Sequence, residues 1–235
     1  MAEKFTLPGR LLRGLLAHRG ATVAHLRGPQ ARRDLAIVRE TRRLTKLLVD
    51  DAAAFELLAY ARAARRLGGA MAELGVFAGG TARLICEAKG EAPLHLFDVF
   101  ETLQTSRSAP AGEDRSAELR ARFGAWHTPR AEVDRLLAPY AGVQIHAGTF
   151  PETTRGLEHE RFAFVHLDAD LESSTRAGLR FFYPRMLVGG VIIGDDYNHP
   201  EVRRAFDEFF APLPGAVVAL PWSQAVAIKV AGPSP

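Results

Sequence analysis

Four carboxylates sit in two short motifs, His166-Leu167-Asp168-Ala169-Asp170 and Gly194-Asp195-Asp196-Tyr197, and each motif follows directly on an apolar run. Those runs, residues 161–167 and 191–193, have the near-continuous apolarity of buried parallel strands. Neighbouring strands lie about 4.8 Å apart, so acids at adjoining strand ends can converge on one point. Carboxylates held that close repel and raise one another's pKa, and a divalent cation relieves the repulsion. Oxygen-only donors favour Mg²⁺, Mn²⁺ or Ca²⁺ over zinc. The spacing therefore predicts a metal site formed by Asp168, Asp195 and Asp196. A helix cap would account for any one of these acids, since Asp170 precedes Ser173-Ser174-Thr175 and Asp195 precedes the helix at Pro200. Four acids at two adjacent strand ends exceed what caps require.

A second motif, Glu73-Leu74-Gly75-Val76-Phe77-Ala78-Gly79-Gly80, runs from a short apolar stretch into a helix that continues through Thr81. Its glycines let the backbone approach a ligand, and the helix start offers unpaired N–H groups. The dinucleotide fingerprint G-x-G-x-x-G needs glycine where Phe77 stands, and there is no G-K-[ST]. Nicotinamide dinucleotides and nucleoside triphosphates are disfavoured, which leaves a smaller ligand. Asp98, 18 residues past Gly80 at the end of the next apolar run, is placed to accept hydrogen bonds from ribose hydroxyls. A turn glycine and a capping aspartate would explain this pair without a ligand. His127, His146, His159, His166 and His199 could each act as a base. A lone histidine is more often a satisfied core or surface residue, so none is assigned.

These motifs need a scaffold that brings strand ends together, and the periodicity supplies one. The pattern predicts helix over 30–66, ended by Gly68-Gly69, then strand 70–74, helix 79–89, strand 94–97 and helix 129–138 opened by Thr128-Pro129. Strands follow at 143–146, 161–167 and 191–193, with helices at 173–186 and 200–210, and two closing strands around 216–220 and 224–230 joined by a turn at 221–223. The fold class is therefore α/β: a doubly wound, mostly parallel seven-stranded sheet with N-terminal helices. Ligands of such sheets sit beyond the carboxyl ends of the strands, where all the motifs above lie. Residues 103–128 are polar and too long for a plain connector, and are read as a lid, with a floppy insertion as the alternative.

At 235 residues, with 47% hydrophobic and 24% charged residues, the chain suits one globular domain with a substantial core. The single cysteine, Cys86, excludes an intramolecular disulfide and a thiolate metal cluster. No stretch has the length and apolarity of a membrane span or a secretion signal, so a cytoplasmic protein is expected, without membrane or nucleic-acid partners. The net charge of +3 is uneven: residues 1–43 hold 10 basic against 3 acidic residues. Because these are interleaved with Leu11, Leu12, Leu15, Leu16, Leu26 and Ile37, they read as an N-terminal helical arm that covers the substrate or pairs subunits, rather than as a polyanion contact. The expected organisation is an arm at 1–43, a catalytic domain at 44–235 and a homodimer or higher homo-oligomer.

From about residue 44 to 210 the chain resembles the macrocin O-methyltransferase family of sugar and natural-product methyltransferases. The resemblance rests on Glu73 to Thr81, Phe97-Asp98-Val99-Phe100-Glu101, Gly148-Thr149-Phe150-Pro151-Glu152-Thr153, His166 to Asp170 with Ser174-Thr175, and Gly189-Gly190 through Tyr197. It implies a class I, Rossmann-like methyltransferase that uses S-adenosylmethionine and Mg²⁺ (or Mn²⁺). By that resemblance Glu73, Leu74, Gly75, Val76 and Phe77 hold the methionine end of the cofactor, and Asp98 with Phe100 and Glu101 holds the ribose. Thr45, Thr128, Gly148, Thr149 and Asp168 are further cofactor contacts, Asp168, Asp195 and Asp196 bind the metal, and Asp170 is the general base beside Asp168. Glu172 stands where the family often has tyrosine, and Thr102 where it has glycine.

The implied reaction is methyl transfer to a hydroxyl of a small sugar or natural-product acceptor, assisted by the metal. A metal-independent methyltransferase of phenols or carboxylic acids, or a non-catalytic module that binds S-adenosylmethionine, would share the glycine turn.

Overall fold

The computed structural model describes residues 26–100 and 128–230. The first 25 residues of the expected arm, Glu101, Thr102 and most of the expected lid lie outside the described residues. The chain divides between Ala36 and Ile37. In the first unit, the Gln30 side chain donates to Asp34 at 2.9 Å, one helical turn on.

The helix expected over 30–66 is two helices, α1 (Gly28–Leu44) and α2 (Asp51–Ala64). The reason is local: the Asp50 carboxylate accepts from the Ala53 N–H at 2.8 Å and so caps a new helix, while Arg42 donates to the Leu47 and Val49 carbonyls in the break. A 3₁₀ turn and left-handed Gly68 then lead into β1 (Ala70–Leu74).

From β1 onward the alternation is as expected: α3 (Gly80–Lys89), β2 (Leu94–Asp98), α4 (Arg130–Leu137), β3 (Val143–Ala147), β4 (Phe162–Leu167), α5 (Glu172–Arg185), β5 (Met186–Gly194), α6 (Pro200–Phe210), β6 (Val217–Ala219) and β7 (Ala225–Ile228). The seven strands form one sheet in the order β3-β2-β1-β4-β5-β7-β6. The first five are parallel, and β7 runs antiparallel between β5 and β6. Two local expectations are corrected. Pro129 is the cap of α4 rather than its first residue, and no side chain caps that helix. β5 begins five residues earlier than the apolar run, with Met186 paired to Phe162 of β4 and Gly189 and Gly190 bonded to Lys229 just past β7.

Every residue of β1 and β4 is buried, since helices cover both faces. Alternation along the strands splits the core in two. Met71, Leu94, Leu96, Phe164, Val191 and Ile193 pack on the side of α2, α3 and α4. Ala70, Ala72, Phe97, Phe162, Val165 and Ile192 pack with Phe182 and Phe206 of α5 and α6. Cys86 lies buried in α3, where burial pushes its thiol up to about 12. Among the described residues no helix is long and apolar enough to cross a membrane.

Candidate active site

The strand ladders run one residue past β4 and β5. The Asp168 N–H donates to the Leu74 carbonyl and the Asp195 N–H to the Leu167 carbonyl, both at 2.8 Å. Strand alternation therefore still governs where these residues face. Counting by twos from Met71, Phe164 and Ile193, the side chains of Glu73, His166, Asp168 and Asp195 share the α2–α3 face. The side chains meet as that parity requires. One donor atom each from His166, Asp168 and Asp195 lies within 4.8 Å of the other two.

Asp196 falls on the next residue and does not join this close group. There the chain turns into a left-handed conformation (φ 57°), and the Asp196 carboxylate lies 3.7 Å from His199 Nε2. Asp195 is fixed by two donors to its Oδ1, the Asp196 N–H at 2.9 Å and the Ser223 hydroxyl at 2.6 Å. Burial first, and then the charges of Asp195, Asp170, Asp196 and Glu73, hold the Asp168 carboxyl well above the usual carboxylate range. Without a counter-charge the cluster is electrostatically strained.

Beside the acids stands the glycine-rich turn. Gly75 follows β1 at φ +92°, and a Cβ there would lie 1.8 Å from the Asp168 carbonyl oxygen, so the turn and the acid motif touch through backbone alone. Gly80 opens α3 against the segment after α1, with the Lys46 carbonyl 2.5 Å from where its Cβ would be. In the same contact the Thr45 hydroxyl donates to the Ala78 carbonyl at 2.7 Å. Thr45 thus reaches the turn from 33 residues away.

Asp98 is committed to this turn. Its Oδ2 accepts from the N–H groups of Val76 (2.7 Å) and Phe77 (2.8 Å), and its Oδ1 accepts from Phe100 N–H at 2.7 Å. Gly148, at the end of β3, donates its N–H to the Asp98 carbonyl at 2.9 Å, with exposed Thr149 next to it, and Thr128 is buried just before α4. Asp170 is half-buried past β4. Four non-glycine residues among those described have positive φ: Phe77, Phe100, Asp170 and Asp196. Each follows the carboxyl end of a parallel strand, and such conformations cost about 1–3 kcal/mol apiece, which marks this rim as a site rather than a set of ordinary connections.

Two features go beyond what the sequence predicts. Glu73 is fully buried, with Oε1 2.8 Å from His166 Nδ1 across the β1–β4 ladder. Burial pushes the Glu73 carboxyl up, opposed by hydrogen bonds from His166 and Thr81. Ser223 reaches Asp195 from the β6–β7 turn, which is anchored to α2 by the bond from Trp222 Nε1 to Glu56 at 2.9 Å. Alternation on two strands could have paired Glu73 with His166, whereas nothing in the sequence announces Ser223. His146 stacks on Phe97 and lies 3.0 Å from His95, where burial lowers the pKa of both rings, and His159 is exposed. Glu172 is held by Arg176 and Arg204, whose hydrogen bonds keep its carboxyl below the usual range.

A sheet in this strand order, with a glycine turn after β1 and acids after β4 and β5, defines a class I methyltransferase fold. Its neighbours among solved structures agree. The O-methyltransferase NovP superposes with a TM-score of 0.62 at 25% identity, covering 74% of this chain and 79% of NovP. CalS11, a calicheamicin methyltransferase, superposes with a TM-score of 0.54 at 16% identity over 87% of this chain and 94% of its own.

Residues 54–212 match the macrocin-O-methyltransferase (TylF) family, and the chain belongs to that family of enzymes. A curated relative from Streptomyces olivaceus, 8-demethyl-8-(2,3-dimethoxy-alpha-L-rhamnosyl)-tetracenomycin-C 4'-O-methyltransferase, is 29% identical over 150 residues, 60% of this chain. The match spans 58% of that relative's length.

Proposed function

We propose that the protein is an S-adenosylmethionine-dependent O-methyltransferase acting on a hydroxyl of a sugar-bearing natural product, with a divalent cation at the acid cluster. The observation that carries this reading is the meeting of Asp168 and Asp195 against the glycine turn in a chain of this family. The relatives' sugar substrates, a rhamnosyl group in the tetracenomycin enzyme and TDP-rhamnose in CalS11, support the acceptor class.

The donor set fits a cation, because the Asp168 carboxyl, held up by desolvation and by the negative charges around it, gains from a positive charge, and one ring nitrogen beside it is buried without a hydrogen-bond partner. S-adenosylmethionine supplies an electrophilic methyl group, and the cation supplies the Lewis acidity that brings an alcohol's pKa within reach of a carboxylate base. The chain's own task is alignment and proton removal. Residues 73–77, with Thr45 bracing their turn, Asp98 tying it and Thr128, Phe100, Gly148 and Thr149 around it, hold the donor. Asp168 and Asp195 hold the cation with Asp196 alongside, and Asp170 takes the proton as the acceptor oxygen gains the methyl group.

The test is release of S-adenosylhomocysteine from a panel of glycosylated and phenolic acceptors, with and without a chelator. Turnover is expected on a glycosylated acceptor, lost on chelation and restored by Mg²⁺ or Mn²⁺. Full-rate turnover in chelator would overturn the metal assignment. Methylation confined to phenols and indifferent to metal would overturn the acceptor class too.

Ser223→Ala gives a finer check. Loss of the hydroxyl that orients Asp195 is expected to weaken cation binding by about 10–100-fold with little change in fold stability. Isothermal titration with Mn²⁺ measures it, and an unchanged dissociation constant would remove Ser223 from the site.

A further inference from the structure

We infer that Lys46 pairs its ammonium with the carboxylate of the methyl donor and so fixes the amino-acid end of that ligand at the glycine turn. This rests on the reading above, in which residues 73–77 hold the donor, and names the group that receives its negative end.

Backbone contacts set the position of Lys46. The Thr45 hydroxyl donates to the Ala78 carbonyl at 2.7 Å, and a Cβ on Gly80 would stand 2.5 Å from the Lys46 carbonyl oxygen and 2.9 Å from the Leu47 Cα. The segment after α1 therefore lies directly on the start of α3. Two arginines hold it in that shape. Arg42 donates to the Leu47 and Val49 carbonyls, both at 2.7 Å, and to Asp51 at 2.9 Å, while buried Arg83 of α3 donates to the Thr41 hydroxyl at 2.6 Å. From this fixed root the Lys46 side chain crosses to the turn, where its Nζ lies 5.8 Å from the centre of the Phe77 ring. Lys46 is exposed, and a cation over an aromatic face at an exposed site is held weakly. A carboxylate offers it a stronger, charge-assisted partner.

Charge makes the assignment. S-adenosylmethionine carries a carboxylate, an ammonium and a sulfonium. At the turn and beside it stand Glu73, Asp98, Asp168 and Asp170, which suit the two positive groups and repel the negative one. The carboxylate therefore needs a cation, and the nearby guanidinium groups are already committed: Arg42 to the segment itself and to Asp51, Arg83 to Thr41 and, at 3.2 Å, to Glu87. Among the described residues, Lys46 is the cation recorded against the turn.

Isothermal titration of the full chain with two ligands tests this without reference to turnover. S-adenosylhomocysteine has the amino-acid end, and 5′-methylthioadenosine keeps the adenosine and the sulfur but lacks it. Lys46→Met is expected to raise the dissociation constant of S-adenosylhomocysteine about 10–100-fold, the loss of one charge-assisted hydrogen bond, and to leave that of methylthioadenosine within about twofold. Lys46→Arg keeps the charge and should recover most of the affinity. Added salt should weaken S-adenosylhomocysteine binding more steeply in the wild type than in Lys46→Met. Equal losses for the two ligands would mean that Lys46 acts through the shape of the turn, and would overturn the pairing while the donor site stands. Unchanged S-adenosylhomocysteine binding in Lys46→Met would overturn it in the same way. A wild-type chain that bound neither ligand at millimolar concentration would overturn the donor site itself.

Discussion

Asp168→Asn is expected to cut kcat/KM by about 10³-fold while the dissociation constant for S-adenosylmethionine stays nearly unchanged. A cation that polarises the reacting oxygen contributes several kcal/mol of transition-state stabilisation, and about 4 kcal/mol corresponds to a factor near 10³. Asparagine keeps the shape of the side chain and removes the charge that the cation needs. Cofactor binding should survive because the turn that carries it meets Asp168 through the backbone carbonyl, which the substitution leaves in place. In chelator the same substitution is expected to stabilise the fold. Asp168 is crowded by Asp195, Asp170, Asp196 and Glu73, so a neutral residue there relieves repulsion and should raise Tm by about 2–4 °C for each kcal/mol removed. Calorimetry with cofactor and a thermal melt in chelator measure the two arms. Loss of cofactor binding alongside activity would show that Asp168 belongs to the donor pocket first, and a lower Tm in chelator would refute the account of a strained cluster.

Gly75→Ala is expected to be the most damaging single-atom change on this rim. Two costs coincide there: a φ of +92° that L side chains avoid, and a Cβ 1.8 Å from the Asp168 carbonyl oxygen. Neither neighbour can give way cheaply, because the obstacle is backbone held in the β1–β4 ladder. A loss of about 3 kcal/mol or more follows, which lowers Tm by roughly 6–12 °C for a chain of this size. Cofactor affinity should fall with it, since the turn and the acid motif must move apart. A melt within a degree or two of wild type would mean that the turn has room that its geometry denies.

The sheet was legible because near-continuous apolar runs and intervening helical periods leave few alternatives to a parallel sheet with covered faces. The acids after β4 and β5 could be singled out for the same reason: residues that follow buried strands share one rim. What the reading lacked was parity. Strand spacing alone does not say how Asp195 and Asp196 face, since consecutive residues point opposite ways unless the chain turns between them, as it does at Asp196. Applied to Met71, Glu73, His166 and Asp168, the same two-residue count would have brought a histidine and a buried glutamate into view. The split between α1 and α2 was hidden because leucines at helical spacing run across the break, and only the cap at Asp50 marks it. Ser223 was invisible in principle, since a hydroxyl that crosses from a hairpin turn to a strand end 28 residues away leaves no periodic trace.

The antiparallel pair at the sheet's far edge carries a consequence for biosynthesis. β7 inserts between β5 and β6, so β6 has no ladder to join until residues 225–228 have left the ribosome. The same hairpin delivers Ser223 to Asp195, beyond the segment 54–212 that defines the family match. A nascent chain halted before residue 223 would carry the glycine turn and the acids, yet lack the hydroxyl that fixes one of them.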